Sequence, residues 1–243
     1  MTAPPVPPVP AAPAVRTPVA VLAVLATVVV ALLAVGLVVH LDADRLPTAA
    51  PRDPPSAPPE ASTFSLGADG RTVRLQEFSM TLAGAPYGCD AAQTPPAGFT
   101  SYVGCSHVVH ADYDVSGHDW AALTGVLLVG EPLVKPGDLP ATSAAVFDAV
   151  VGWLYTAADH HSLSQVSKDG VQVPVPAGRA ASKLANVDVE KKGLATPYDR
   201  LVVVVVQLES GRCVAFFSDF PHDGGQDALQ AVSTSLSTIS LRR

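Results

Sequence analysis

Residues 63–243 are expected to fold as an α+β domain with a largely antiparallel sheet and about two helices, carried behind one N-terminal transmembrane helix. Three features predict this arrangement. Val19–Val39 is an uncharged apolar run interrupted only by Thr27, and ~21 helical residues rising about 1.5 Å each span the ~30 Å hydrocarbon core of a bilayer. Residues 40–62 form a Pro- and Ala-rich linker with no apolar periodicity, suited to holding a domain away from a membrane. Beyond that linker, apolar residues recur at every second position in several stretches and at every third or fourth in two others.

The segment before the helix, residues 1–18, contains PPVPPVP, whose P-x-x-P spacing gives a polyproline II tail. Such a tail is either a solvated arm or a ligand for an aromatic-lined groove. The apolar run exceeds the 7–15 residues of a cleaved signal and lacks a basic leader, so it reads as a retained anchor. Flanking charge does not orient it, because Arg16 on one side faces Arg45 and Arg52 on the other. A short tail, a long linker and two cysteines placed to form a bridge favour a cytoplasmic N-terminus and a C-terminal domain outside the cell membrane.

Within the domain, TFSLGADGRTVRL predicts two short strands around Ala68-Asp69-Gly70, with strand continuing towards Leu82. Residues 83–102 read as an irregular excursion. SHVVHADYDV and ALTGVLLVG read as further strands, the latter stopped by Gly130 and Pro132. In residues 141–158, Val146, Phe147, Val150, Val151, Leu154 and Ala158 form one helical face, with Thr142 or Ser143 available as cap. His160–Gly170 reads as polar loop, and ASKLANVDV as strand. LVVVVVQL, residues 201–208, is apolar on both faces and so belongs in the centre of a sheet, and Glu209-Ser210-Gly211 turns it into RCVAFFSDF. Leu229, Val232, Leu236 and Ile239 mark a last helix.

Charge narrows the function classes. The chain carries 22 acidic against 15 basic residues, and its Lys and Arg are scattered, which excludes the clustered positive footprint that nucleic acid requires. Cys89 and Cys105 bracket a Pro/Gly-containing loop, and a bridge there would stabilise the fold by roughly 3 kcal/mol. Cys213, on an apolar strand, reads as a small buried residue. No C-x-x-C, G-x-S-x-G, H-E-x-x-H or phosphate-binding glycine loop occurs, so no catalytic residue or cofactor is assigned.

The densest polar group is His107, His110, Asp112, Asp114, His118 and Asp119. On an alternating strand His110, Asp112 and Asp114 share a face and His118 follows from the turn, so these four are the candidate metal ligands. A solvated polar face produces the same pattern. His160-His161 fits a helix end, where imidazoles meet free carbonyls. Trp120, Trp153, Tyr87, Tyr102 and Tyr113 either line a groove or belong to the core.

The C-terminal third, with Pro176-Ala177-Gly178-Arg179-Ala180-Ala181, then LVVVVVQLESGRCVAFFSDFP and DALQAVSTSLSTISL, resembles the end of PsbP-like domains of the actinobacterial cell envelope. The Ala-rich, Lys-poor composition is consistent with such a source. The resemblance implies an αβα sandwich closed by a hairpin and a final helix, and an accessory or binding role. The expected function is therefore a non-catalytic, membrane-anchored extracytoplasmic binding domain whose partner is an envelope protein or a small apolar ligand. The alternative is an envelope hydrolase or metal-dependent enzyme built on His110, Asp112, Asp114 and His118.

Overall fold

The computed structural model describes residues 63–90, 93–115, 117–167 and 171–242. The expected tail, the transmembrane helix Val19–Val39 and the linker lie outside the described residues, among which no helix is long and apolar enough to cross a membrane. In chain order the elements are β1 (Ser65–Leu66), β2 (Thr72–Leu75), β3 (Phe78–Thr81), β4 (Gly88–Asp90), β5 (Phe99–His110), β6 (Trp120–Val129), α1 (Leu139–Leu154), β7 (His160–Ser167), β8 (Ala180–Glu190), β9 (Tyr198–Gln207), β10 (Cys213–Pro221), α2 (Gln226–Ser237) and β11 (Ser240–Leu241). They make an α+β domain with two antiparallel sheets, one ordered β1, β2, β3, β11 and the other β4, β5, β6, β10, β9, β8, β7.

The seven-stranded sheet is built outward from β9 and β10. Pairs run in register from Cys213 opposite Gln207 to Pro221 opposite Asp199, so the hairpin is long and unbroken. Gly211, at φ 85°, supplies the left-handed residue that the turn needs. Alternate residues then serve opposite faces. Val204, Val206, Val214 and Phe216 face the four-stranded sheet and α2. Leu201, Val203, Val205, Ala215 and Phe217 face α1. With both faces covered, each of these side chains is removed from water, worth ~1.5–3 kcal/mol for a large apolar residue.

Helix α1 begins at Asp138, whose carboxylate accepts from the Ala141 N–H at 2.8 Å. The cap is thus Asp138 rather than Thr142 or Ser143, both of which are buried within the helix. Thr142 instead donates to the Asp138 carbonyl and accepts from the Lys135 N–H. Val146, Phe147, Val150 and Val151 pack on the sheet. The chain then crosses to the far edge as β7, so His160–Ser167 is a strand rather than the expected loop, paired from His160 opposite Glu190. Its polar composition belongs to an edge, where much of the strand faces water.

Two further expectations change at the other edge. Residues 83–102 are not wholly irregular, because β4 pairs with β5 and β5 begins at Phe99. Strand β5 ends at His110, short of the expected Val115, and Asp112 and Val115 take positive φ in the turn beyond. Cys89 and Cys105 stand opposite each other in the β4–β5 register and are joined by a disulfide. Cys213 is free and buried.

Gly104 and Gly125 are cross-strand partners in β5 and β6, and the Tyr102 ring occupies the space their missing side chains leave. A Cβ at Gly104 would overlap the Tyr102 hydroxyl, and one at Gly125 would lie 2.7 Å from the Val103 carbonyl oxygen. Trp153 of α1 closes edge-on over Tyr102 and Phe217, with ring centroids 5.3 and 5.5 Å away. The glycine pair therefore sets how closely α1 seats on the sheet. Gly104→Ala is expected to destabilise the domain by about 1–3 kcal/mol through displacement of Tyr102. Urea denaturation measures this loss, and an unchanged midpoint would show that the ring has room to move.

Candidate functional site

The ends of β5, β6, β9 and β10 that meet the C-terminal end of α1 gather the polar groups most relevant to chemistry. His110, the last residue of β5, places Nε2 3.0 Å from Thr196 Oγ1 and 3.1 Å from Asp223 Oδ2. The Thr196 hydroxyl also donates to Asp223 Oδ1. Thr196 precedes β9 and Asp223 follows β10, so this group ties three strand ends together. Burial works against ionisation of Asp223, but hydrogen bonds from Thr196 and His110 outweigh it and hold the carboxyl below its ordinary pKa. Composition alone suggests a hydroxyl–imidazole–carboxylate triad. In such a triad the carboxylate orients the ring nitrogen remote from the nucleophile, whereas here both oxygen ligands converge on Nε2. The connectivity therefore differs from that of a catalytic triad.

Deeper on the α1 face lie two carboxyl groups that sequence reasoning did not single out. Asp199 is 0% exposed and Asp219 4%. In the β9–β10 register Asp219 stands opposite Leu201 and Asp199 opposite Pro221, so the acids are diagonal neighbours on one face. Trp120 Nε1 donates to Asp199 Oδ2 at 3.0 Å, and the Tyr155 hydroxyl, just beyond α1, donates to Asp219 Oδ1 at 2.5 Å. Oδ1 of Asp199 is buried and has no hydrogen-bond partner among the described residues. Burial pushes the Asp199 carboxyl up to about 7, against the Trp120 and Tyr155 donors and with help from the Asp223 charge. Burial and the charge of Asp199 raise Asp219 well above the carboxylate range. Burial, then the two acids, raise Tyr155 as well. The sequence did contain a signal at Asp219, which stands between Ser218 and Phe220 in a strand that is buried along its whole length.

The four expected metal ligands do not come together. His110 turns to Thr196 and Asp223, while Asp114 and His118 pair at 3.0 Å in the loop beyond β5. Asp112 accepts from the Gly117 N–H, and its own N–H donates to Asp119. The cause is the early end of β5, since residues after His110 no longer alternate on a common face. Among the described residues no group of three or more His, Cys, Asp or Glu is placed to hold a metal ion. His160 and His161 sit on β7 rather than at a helix end, and His161 stacks on Tyr155 with centroids 5.6 Å apart. Tyr87, Tyr102 and Trp120 belong to the core, and the Tyr87 ring meets His107 edge-on at 6.0 Å.

Two of the hollows elsewhere among the described residues bear on ligand binding. One of about 690 Å³ faces the start of α2 beside His107, Gly224 and Gly225, but Asp227 already brings negative charge to that helix terminus. The other, about 590 Å³, opens where β7 stops short of the start of β8. Its walls include Val166, Val171, Val173, Val175 and Ala180, and at its α1 side lies Ser143, whose buried hydroxyl has no hydrogen-bond partner among the described residues. Lys183 lines the same cleft, with Nζ 3.2 Å from Asp148. This pairing of an apolar wall with a few convergent polar groups suits a ligand-binding cleft.

Because the His/Asp group is dispersed, neither added zinc nor EDTA is expected to move the melting temperature by more than about 1 °C. A rise of several degrees with zinc in differential scanning calorimetry would show that these side chains regroup around an ion. No protein-family model matches the chain, and no curated protein is significantly similar to it.

Proposed function

We propose that the protein is a single-pass, membrane-anchored binding or accessory module of the cell envelope, with its folded domain outside the cytoplasm and no catalytic reaction of its own. The observation that carries the binding role is the cleft beside β8, with its valine wall and the unpartnered Ser143 hydroxyl. An envelope protein offering an extended apolar segment, or a small apolar ligand with one polar group, suits that lining. The anchor is the uncharged run Val19–Val39. The Cys89–Cys105 disulfide supports an oxidising compartment, since cytoplasmic thiols are held reduced.

Cover on both faces of the long antiparallel sheet, from α1 on one side and α2 with the small sheet on the other, supports the αβα-sandwich reading and the PsbP-like resemblance. An envelope hydrolase or metal-dependent enzyme has less support, because His110 is engaged by Thr196 and Asp223 and is separated from the Asp114–His118 pair.

One experiment tests location and binding together. With Cys89 and Cys105 bridged and Cys213 buried, Gln172→Cys adds an exposed thiol on the cleft wall. Intact cells are treated with a membrane-impermeant thiol reagent carrying a photo-crosslinker, and the full-length chain is recovered after illumination. The reading predicts labelling and a discrete adduct that is absent when the same label is placed at Leu229→Cys on α2. No labelling until the cells are opened would place the domain in the cytoplasm. Labelling without a cleft-specific adduct would remove the binding role.

A further inference from the structure

Two carboxyl groups on adjacent strands, both buried and within electrostatic reach of each other, cannot both be ionised without a nearby cation. Among the described residues neither Asp199 nor Asp219 forms an ion pair with Lys, Arg or His. The groups facing them are donors of one hydrogen each or further acids. From the turn after α1 comes Tyr155, stacked on His161 of β7. From β6 comes Trp120, packed edge-on by Tyr113. From beyond β10 comes Asp223, whose charge adds to the load and which is itself paired with His110 of β5. The charge of Asp219 also reaches Tyr87, from the segment before β4. With both acids charged, the Trp120 and Tyr155 hydrogens would have to balance two anions while Asp199 Oδ1 stays buried and unpartnered.

We propose that the Asp199/Asp219 pair is a proton-operated latch: with one proton on the pair it clamps Tyr155 and Trp120 and fixes the C-terminal turn of α1 to the sheet, and loss of that proton frees the turn. The turn is the element that yields, because Asp199 and Asp219 lie within the long β9–β10 hairpin, whereas Tyr155 sits on a three-residue 3-10 turn between α1 and the edge strand β7. Opening there uncovers His161 and the aromatic layer of Trp120 and Tyr113 without separating the central strands.

The direction with pH follows from proton binding. Burial raises both acids, so the folded pair holds protons that the unfolded chain releases near pH 3.8, and above that pH the native state binds more protons than the unfolded one. The stability that the pair confers is therefore greatest on the acid side and declines as pH rises.

Two measurements on the full chain test the latch. Infrared spectroscopy is expected to show a protonated carboxylic acid at about pH 6, where ordinary Asp and Glu are ionised, and the band is expected to disappear in Asp199→Asn and in Asp219→Asn. Hydrogen exchange at residues 151–158, corrected for the intrinsic rate, is expected to speed up roughly tenfold between about pH 5.5 and pH 8 in the wild type and to stay flat in Asp199→Asn. If either variant fails to fold, the wild-type band and the wild-type exchange profile decide the matter. Absence of the band at pH 6, its persistence in both folded variants, or protection of the turn that does not change with pH would overturn the proposal.

Discussion

The burial of β9 and β10 on both faces is the constraint on which the rest of the domain depends. A strand covered on one side alone can pair apolar and polar positions alternately, and water satisfies the outer set. Val203 to Val206 and Val214 to Phe217 have no such side. Two separate layers must therefore exist, and the chain supplies them from distant segments: α1 between β6 and β7, and β1–β3 joined by α2 and β11 from the other end. Ser79 and Ser240 link the first and last parts of the small sheet at 2.9 Å, so one layer closes only when both ends of the described chain are in place. This makes the domain cooperative by topology rather than by any single strong contact.

The same constraint creates the tension at the strand ends. Asp199 and Asp219 sit on strands whose neighbours are apolar, under a helix, so their charge has nowhere to be solvated. A solvent-facing Asp at a strand end costs little. Here Trp120 and Tyr155 each commit their one donor hydrogen to the pair, which fixes the positions of their rings. The polar end of the sheet is thus specified by hydrogen bonding, whereas its centre is specified by shape, including the close fit of Tyr102 over Gly104 and Gly125.

The sequence made the centre legible and the edges hard to read, for one physical reason. LVVVVVQL and CVAFFSDF are so apolar that central placement follows from composition, and the α1 face from Val146 to Leu154 follows from its period. Edge strands β7 and β4 carry no such pattern, because a half-solvated strand such as His160–Ser167 resembles a loop and Gly88–Asp90 is too short to show alternation. The same local logic fails at the His/Asp group: alternation predicts a shared face beyond His110, whereas Asp112 leaves the extended region. The cysteine bridge is legible because Cys89 and Cys105 bracket one short loop, and in the fold they are cross-strand partners. Asp199 and Asp219 are not legible as a pair, because each looks like the polar end of a strand and their pairing depends on the hairpin register.

Native-state hydrogen exchange with residue resolution tests the primacy of the central pair most directly. If double-faced burial organises the domain, amides of Val203–Val206 and Ala215–Phe217 exchange only through global unfolding, with the highest opening free energies in the molecule. Amides of β4 and β7 should open at lower free energy. Exchange from β9 or β10 that is as fast as from β7 would contradict the account.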